Sequence, residues 1–576
     1  MTEVLRTESV LVDTARATIY APFVLAQVPR FLGKIDREPA SRTYGSFDRE
    51  NWAWKFRDFP IGVLQWAGML PLAWLWRLDL PDNRYRDSHE LLVWTRAALD
   101  ELLRRQHRNG AFDSVGPNTQ DYGASLAACY YLAATARTLG SALPEHDQAR
   151  VRAAMARAIA FAPNATEDYA YISNHHALFA LGVLAASEYC DEPRWRAQAD
   201  SIVADIIAHQ SPDGFYAEYG GNDPGYESLG IDFLARIWVR TRDATLLASL
   251  RRAVAYYAYA PQLDGSLGGA LGSRHTRLWF PGGFEQLASV IPEAAAVAAF
   301  MRARLQRAEV VTPETVDAQN LPVMLGSYLT ACQANDTPRP PQPLPCETLR
   351  GHTAFSQGMH ASGTDQYYAV AALHKGGLMR VVERARQQLV YEDAGWIARS
   401  EGRTYASQLL GLSEFQTAAG GAVSIRARFG LVRQEQLTPW RFVLLRLLNL
   451  TVFRSLLLGN LVRRLLIARL ITSAVPGPIV LTRHIRFSDS RIDVHDALRL
   501  TEPLRIDMLE LARSFTGIHM GSAKYFHPSD ALSLVAPSTA GLAQRLTREQ
   551  QCELRYTILF DADTVSIVAD PSRGDA

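Results

Sequence analysis

The sequence predicts a multidomain α+β protein in which an incomplete helical (α/α) toroid precedes an antiparallel β-sandwich-like domain. Three observations predict this fold: a length of 576 residues, a series of amphipathic helical segments in the first half, and strand-like segments in the second. A single hydrophobic core stops growing well below this length, so at least two domains are expected. Helices followed by strands, without alternation, argue against a doubly wound or TIM-type parallel sheet.

The helical domain is predicted to span residues 1–330. Between about 50 and 305, apolar residues recur every three or four positions, as in HELLVWTRAALDELLRRQ at 89–106 and YGASLAACYYLAATARTL at 122–139. This period is typical of amphipathic helices that bury one face. The loops between the segments are short, which predicts antiparallel helical hairpins.

Three of the joining loops resemble one another: RNGAFD at 108–113, SPDGFYAEYGG at 211–221 and QLDGSLGG at 262–269. Each places Gly beside Asn or Asp just after a helix, where a left-handed residue is favoured. If helix pairs repeat around a ring, these loops lie at the same end and converge on one cleft. The alternative is that they serve only as helix C-caps.

A proline-rich stretch separates the helical part from the strand-like part. NDTPRPPQPLPCE contains five prolines that cannot continue a helix, which predicts a linker at 331–348. The sheet domain is then expected over 349–576, because the segments that follow alternate and are rich in β-branched and aromatic residues. These segments are QYYAVAALH, AVSIRARFGLVRQ, PIVLTRHIRFSDSRIDVHDA, LRIDMLELARSF and CELRYTILFDADTVSIVA.

An insertion rich in Arg and Leu interrupts the sheet domain at about 440–475, with the sequence WRFVLLRLLNLTVFRSLLLGNLVRRLLIARLITSAV. Its arginines leave no uncharged run near the ~20 residues that cross a bilayer, so it is not expected to span a membrane. With Arg as its only charged residue type, it suits a helical hairpin on an anionic lipid surface. The alternative is a helical insertion that packs on its own sheet or on a second subunit.

Composition argues against several classes of protein. Lys and Arg number 60 and Asp and Glu 59, so no nucleic-acid partner is predicted. Five scattered cysteines without CxxC spacing predict neither zinc ligands nor a disulfide framework. The first residues, MTEVLRTESVLVDTAR, contain no apolar segment of a secretion signal. A cytoplasmic location is therefore expected, with peripheral contact at the inner membrane surface through 440–475 as an alternative.

Candidate functional residues fall in four clusters. The first, DYAYISNHHALFALG, places Asn174 and His175 at the start of an apolar helix. The adjacent His176 projects about 100° away, so at most one of the two histidines enters a given cleft. The second, DGFYAEYGGNDPGYESLG, is a polar loop that is costly to order unless it binds a ligand. This loop carries Glu218, Tyr219, Asn222 and Asp223 and leads to Tyr226 at a helix start.

The third cluster, GGALGSRHTRLWFPGG, places Arg274, His275 and Arg277 beside Trp279. Arg binds carboxylate or sulfate through its planar fork, and aromatic faces suit sugar rings. Structural ion pairs are the competing interpretation of the arginines. The fourth cluster, GHTAFSQGMHASGTDQYY, contributes His352 at the start of the sheet domain.

An Asn-His pair at a helix start, a later DG loop that contains Glu, and a Tyr that opens the next helix resemble the heparinase II/III and alginate-lyase group, whose architecture uronyl epimerases share. The resemblance extends over about 90–570 and implies a polysaccharide lyase whose partner is an acidic, uronic-acid-containing polysaccharide or oligosaccharide. The pair corresponds to Asn174 and His175, and the Tyr to Tyr226. The third histidine of the family corresponds to either His275 or His352.

The resemblance also implies residue roles for chemistry at C5 of a uronate. Asn174, helped by Arg274, would neutralise the sugar carboxylate. Tyr226 and His175 would form the acid/base pair, and His275 is a further catalytic candidate. The substrate-binding candidates are Glu218, Tyr219, Asn222, Arg277, Trp279 and His352.

β-Elimination by a carbon–oxygen lyase is the expected reaction, and C5 epimerisation during polysaccharide biosynthesis would use the same residues. A hydrolase that uses Glu218 with Asp223 or Asp264 is another alternative, as is a non-catalytic polysaccharide-binding or assembly protein. No cofactor and no metal are predicted. A structural zinc or calcium remains the alternative, because four scattered histidines are available as ligands: His484, His495, His519 and His527.

Overall fold

The structure is a computed structural model that describes residues 12–49, 53, 67–114, 116–162, 171–307, 309–334, 336–432, 438–462, 475–515, 528–532, 534–561 and 564–569. Helices come first and antiparallel strands second, which confirms the predicted order. The helices of the first part are α1 (Thr14–Leu32), α2 (Met69–Arg77), α3 (His89–Arg105), α4 (Tyr122–Leu139), α5 (Glu145–Phe161), α6 (Ser173–Cys190), α7 (Arg194–Ala208), α8 (Pro224–Thr241), α9 (Ala244–Tyr257), α10 (Gly282–Leu287), α11 (Pro292–Leu305) and α12 (Leu321–Cys332).

Inner helices form a ring in this part of the chain. The helices α2, α4, α6, α8, α10 and α12 contact one another in that order, and α12 also contacts α2. Each packs against one outer helix, these being α3, α5, α7, α9, α11 and α1. Every residue of the inner helix α12 is buried, whereas the outer helix α7 buries only Ala199, Val203 and Ile206. The inner helix α12 is therefore covered on all sides, whereas the outer helix α7 buries one stripe.

The three similar loops share one backbone structure. His107, Ser211 and Gln262 each donate their N–H to the carbonyl four residues later and accept a bond from the Gly three residues later. Those glycines have φ of 95° at Gly110, 110° at Gly214 and 82° at Gly265, a region that favours glycine. Because each loop follows an outer helix and precedes an inner one, all three lie at the end of the toroid where inner helices begin.

A close helix crossing gives a stability prediction. A Cβ at Gly182 in α6 would lie 2.0 Å from the carbonyl oxygen of Leu126 in α4, so we expect Gly182→Ala to lower the free energy of unfolding by at least about 2 kcal/mol. Gly326 in α12 is the matched control, since a Cβ there meets no atom within 4 Å. Gly326→Ala should be stabilising by about 0.5–1 kcal/mol. Thermal unfolding midpoints measured by circular dichroism would test the pair, and equal midpoints would contradict it.

Two antiparallel sheets make up the second part of the chain. The first has the order β1-β2-β3-β4-β5, and the second has the order β12-β6-β7-β9-β10-β11-β13-β14 with β8 beside β9. The strands are β1 (Gly351–Ala354), β2 (Met359–Gly363), β3 (Tyr367–Ala372), β4 (Leu378–Glu383), β5 (Gln388–Asp393), β6 (Trp396–Ser400), β7 (Arg403–Ala406), β8 (Ser413–Ala418), β9 (Ala422–Leu431), β10 (Pro476–Ser488), β11 (Arg491–Leu500), β12 (Met508–Leu511), β13 (Gln551–Phe560) and β14 (Val565–Ala569).

The first sheet lies between the toroid and the second sheet. Along β3, Tyr368 and Val370 belong to the helical core, whereas Tyr367 and Ala369 pack in the core between the sheets. This alternation follows from the period-two geometry of a strand. The first sheet is thus buried on both faces, which fixes it against the toroid.

The connecting segments differ in structure. Between α12 and β1 the described residues contain one short helix, α13 (Pro345–Thr348). The insertion between β9 and β10 forms α14 (Pro439–Leu450) and a helical stretch at 456–462, while 463–474 lie outside the described residues. A last helix, α15 (Leu542–Glu549), precedes β13.

None of the helices that the structure describes is long and apolar enough to cross a bilayer. Within the same residues, no group of three or more His, Cys, Asp or Glu side chains converges as metal ligands. His484 and His495 pair across β10 and β11 with ring centroids 6.1 Å apart. His519 and His527 lie outside the described residues.

Candidate active site

The start of α6 is tied to the polar loop that precedes α8. Ser173 N–H donates to the Ala217 carbonyl at 3.1 Å, and Tyr219 N–H donates to the Tyr171 carbonyl at 3.3 Å. Ile172 and Glu218 form an antiparallel bridge between these two bonds. The first and second sequence clusters are therefore adjacent.

Asn174 is held by a buried carboxylate. Its backbone N–H donates to Glu218 Oε1 at 2.9 Å, and its side-chain Nδ2 donates to Glu218 Oε2 at 2.7 Å. Both oxygens of one carboxylate thus fix one residue, which orients the amide. Burial raises the pKa of Glu218 to about 7, although the bonds from Asn174 and the positive charges of His175 and Arg274 act in the opposite direction.

Glu218 is one of the predicted substrate-binding residues. Its exposed fraction is 0%, and both of its carboxylate oxygens accept bonds from Asn174. Glu218 is a positioning residue whose contact is Asn174.

Asp223 joins the second cluster to the third. One carboxylate oxygen accepts the N–H of Tyr226 at 3.1 Å and so caps α8. The other accepts the N–H of Arg274 at 3.0 Å, and the Thr276 hydroxyl also donates to Asp223. The Ser273 hydroxyl donates to the Glu218 carbonyl at 2.6 Å. The loop 273–276 is thereby fixed against the start of α8.

The Arg274 guanidinium stacks on two phenol rings. Its Cζ lies 4.2 Å from the centroid of Tyr226 and 4.7 Å from the centroid of Tyr219. Burial opposes its charge, but Tyr226, Tyr219, Asp223 and Glu218 together raise the pKa of Arg274. A fixed cation therefore lies against both tyrosines, where it stabilises negative charge that develops nearby.

Tyr226 and Asn174 lie on facing sides of two inner helices. A Cβ at Gly230 in α8 would lie 3.6 Å from Cα and Cβ of Asn174, so the helices meet there. Tyr226 is four residues before Gly230, one turn towards the helix start on the same face. Tyr226 keeps 8% of its surface exposed and Asn174 keeps 3%. The structure brings Asn174, Tyr226 and Arg274 into one cluster.

The two adjacent histidines point in different directions, as their helical spacing predicts. His176 contacts the outer helix α7, because its Nδ1 lies 3.6 Å from Asp205 Oδ2. Its ring centroid is 4.6 Å from that of Tyr171. His175 is partly exposed and close enough to Glu218 to influence its carboxyl group. His175 is the histidine that shares the cluster with Asn174.

The geometry favours His275 over His352 as the third histidine. His275 follows Arg274 and donates from Nδ1 to the Phe515 carbonyl at 2.9 Å, a bond that requires a proton on Nδ1. His352 lies on the edge strand β1 and contacts Ser362 at 3.1 Å. Its ring stacks on that of the buried His360 at 5.9 Å, within the sheet domain.

Two residues of the cluster have left-handed backbone conformations. Tyr219 has φ of 56° and His275 has φ of 60°. Non-glycine residues adopt this region rarely, at an energetic cost of about 1–3 kcal/mol, and such residues are common at functional sites. Tyr219 packs against the Arg274 guanidinium, and His275 is the next residue after Arg274 in the sequence. Two of the eleven left-handed non-glycine residues among the described residues therefore belong to this cluster.

Three more residues predicted to bind substrate have partners within the protein. Trp279 is 0% exposed and packs near Tyr20 in the helical core, so its face is not available to a sugar. Arg277 pairs with Asp530 of the C-terminal part at 2.6 Å and is 8% exposed. Asn222 is buried, and its carbonyl accepts the Ser273 N–H at 2.7 Å. Their role in substrate binding stays a prediction.

The carboxylates considered for a hydrolase also have internal partners. Glu218 and Asp223 are both 0% exposed. Asp264 pairs with the buried Arg380 of β4 at 2.7 Å. A glycosidase needs two carboxyl groups that flank the scissile bond, and these three are directed into the protein.

Lys375 is a residue of this region that sequence reasoning missed. It follows β3, and its buried Nζ donates to the carbonyls of Ala270 at 2.7 Å and Gly272 at 2.6 Å. Burial lowers the pKa of Lys375 to about 8, against the effect of Asp223. The first sheet therefore supports the loop that carries Arg274. The turn sequence HKGG gives no signal of this contact.

No protein-family model matches the chain, and the comparison with curated proteins found no match. Solved structures do match. The chondroitin AC lyase of Streptomyces coelicolor A3, in complex with chondroitin sulphate, has a TM-score of 0.50 at 12% identity, over 85% of this chain and 67% of that chain.

Two further structures are similar at lower TM-scores. A Paenibacillus xanthan lyase has a TM-score of 0.48 at 10% identity, over 85% of this chain and 46% of that chain. A heparan sulfate lyase mutant from Pedobacter heparinus has a TM-score of 0.40 at 8% identity, over 87% of this chain and 71% of that chain. This chain thus spans less than half the length of the xanthan lyase. At these identities the likeness is one of fold.

Proposed function

We propose that this protein is a carbon–oxygen lyase that cleaves a uronic-acid-containing polysaccharide by C5 proton abstraction and β-elimination. The observation that carries the proposal is the meeting of Asn174, Tyr226 and Arg274 at the end of the toroid where inner helices begin. The fold shared with chondroitin AC lyase supports it. The partner is an acidic polysaccharide or oligosaccharide.

Charge stabilisation is the first requirement of this reaction. The C5 proton is weakly acidic, so the carboxylate attached to C5 must be neutralised as negative charge spreads onto it. Asn174 has a second amide N–H besides the one bonded to Glu218, and it is the proposed donor to that carboxylate. A well-placed donor of this kind contributes about 3–4 kcal/mol. Arg274 adds a fixed positive charge.

Tyr226 and His175 are the proposed acid/base pair, with His275 as a further catalytic candidate. The base removes the C5 proton, and the electron pair of that C–H bond forms the C4=C5 double bond. The bond from C4 to the glycosidic oxygen breaks, its electrons leave with the oxygen, and the acid protonates that oxygen. The products are an unsaturated uronate and a new chain end. Return of a proton to the opposite face of C5, without bond cleavage, would instead give the epimer.

Incubation with a panel of uronate polymers in deuterated water tests the proposal. A lyase gives ultraviolet absorbance from the unsaturated uronate. An epimerase gives deuterium at C5 without absorbance, and a binding protein gives neither. Absence of absorbance for every acidic polymer that the protein binds would contradict the lyase assignment.

The raised pKa of Glu218 predicts a pH dependence. Ionised Glu218 accepts both bonds from Asn174, so protonation as the pH falls through about 7 removes an acceptor and releases the amide. We expect kcat to fall below that pH, and Glu218→Gln to abolish this limb of the profile while lowering turnover at neutral pH. The profiles of kcat for the two proteins are the measurement. An unchanged acidic limb in the variant would rule out Glu218 as its origin.

Glu218 should also make the free energy of unfolding depend on pH, in the opposite direction to kcat. The pKa of Glu218 is about 7 in the folded protein against a reference value of 4.5, so between these values the folded state binds the proton more strongly than the unfolded state. The contribution of Glu218 to the free energy of unfolding therefore decreases as the pH rises through this window.

A further inference from the structure

Exposed apolar side chains are concentrated in one segment, residues 438–462, which we call the docking segment. Twelve large apolar side chains are exposed among the described residues, and ten of them belong to this segment. Trp440 is 80% exposed and Leu457 is 85% exposed. The ten are Trp440, Phe442, Val443, Leu444, Leu447, Leu450, Leu456, Leu457, Leu458 and Leu461. Contiguous exposed apolar surface of this kind marks an interaction site.

The helix α14 presents its apolar stripe outwards. Trp440, Val443, Leu444, Leu447 and Leu450 recur at three- and four-residue spacing and are all exposed. The buried residue of this helix is polar, Asn449. A helix of a globular protein normally buries its apolar stripe. The exposed stripe of α14 is therefore available to contact an apolar surface outside this chain.

The charge of the segment is of one sign. From 438 to 462 the sequence contains three arginines, Arg441, Arg446 and Arg454, and no Asp, Glu or Lys. Arg441 and Arg454 are exposed beside the apolar side chains. An apolar face with Arg as its only charged residue is complementary to an anionic lipid surface. It does not suit self-association, because a symmetric contact would place arginines against arginines.

The docking segment is attached at the same end of the toroid as the candidate active site. Asn118 Nδ2 donates to the Asn449 carbonyl at 2.9 Å, and Gln120 Nε2 donates to the Phe453 carbonyl at 3.4 Å. These two side chains belong to the loop that ends at Asp121, the N-cap of the inner helix α4. The segment is therefore held by the protein in a defined position, with its apolar side chains exposed.

We propose that the docking segment binds the surface of an anionic lipid bilayer, with α14 lying in the plane of the interface. Twelve residues of helix extend about 18 Å, well short of the hydrocarbon core of about 30 Å, so the segment lies on the membrane and does not cross it. Binding at this place brings the end of the toroid that carries Asn174 towards the membrane.

Vesicle co-sedimentation of the full chain tests the proposal. We expect the protein to sediment with vesicles of equimolar phosphatidylglycerol and phosphatidylcholine, and much less with phosphatidylcholine alone. High salt should weaken binding, because it screens the arginines. Equal binding to both vesicle types, or binding to neither, would overturn the proposal.

Variants locate the contact. Trp440→Ser combined with Leu457→Ser should abolish sedimentation, whereas Val568→Ser, which changes a side chain of β14 that is 47% exposed, should leave it unchanged. Arg441→Gln and Arg454→Gln should each weaken binding roughly fivefold. Sedimentation equilibrium tests whether a second copy of the chain covers this surface instead. A dimer that the Trp440 and Leu457 substitutions dissociate, without vesicle binding by the unaltered protein, would assign the surface to a second copy and overturn the proposal.

Discussion

Replacing Tyr226 with Phe is expected to lower kcat on the cleaved polymer by about 10²–10⁴-fold, the range that one positioned acid/base group contributes. The substitution removes the hydroxyl and keeps the ring that stacks against Arg274 at 4.2 Å. The cap of α8 uses the backbone N–H of Tyr226 and is also retained. The fold should therefore survive, and the change should appear in kcat more than in KM.

Tyr219→Phe is the matched control for this prediction. Tyr219 is a second phenol under the same guanidinium, at 4.7 Å, and its predicted role is substrate binding. We expect its loss of hydroxyl to change KM and to change kcat by less than about tenfold. Unchanged turnover in Tyr226→Phe, or equal losses of kcat in the two variants, would remove the assignment of Tyr226.

Asn174→Ala is expected to lower kcat by about 10²–10³-fold, the effect of removing one donor to developing negative charge. The variant also removes the side-chain bond to Glu218 at 2.7 Å and retains the backbone bond at 2.9 Å. Glu218 then has no amide to position, so the acidic limb of the kcat profile that its protonation causes should be absent from the variant. Steady-state kinetics across pH would measure both effects.

Ser173→Ala is the matched control for Asn174→Ala, because it disturbs the start of α6 and leaves the Asn174 amide in place. The Ser173 hydroxyl donates to the Ala217 carbonyl at 2.8 Å, so its removal perturbs the same junction without removing a donor to substrate. We expect a loss of kcat below about tenfold. A loss as large as that of Asn174→Ala would indicate that both substitutions act by disturbing the junction, and would count against Asn174 as the donor.

Much of the layout was predictable because its signals are local. The period of apolar residues identifies helices such as 89–106 and 122–139, and alternation identifies β9, β10, β11 and β13. The repeated Gly beside Asn or Asp predicted three loops of one structure, since a left-handed residue is needed there. Strands β4 to β8 were not predicted. One of them, β8, is short, polar and partly exposed, so its sequence carries little alternation.

The order of helices and strands and the three repeated loops could be predicted from the sequence, because each is encoded within a few neighbouring positions. Which candidate residues lie close together follows from the tertiary structure. It turned His175 towards the cluster and His176 towards Asp205, favoured His275 over His352, and buried Trp279 and Glu218. It also brought Lys375 to a loop about a hundred positions earlier. Such contacts depend on how whole helices and sheets pack, and packing is a property of distant segments together.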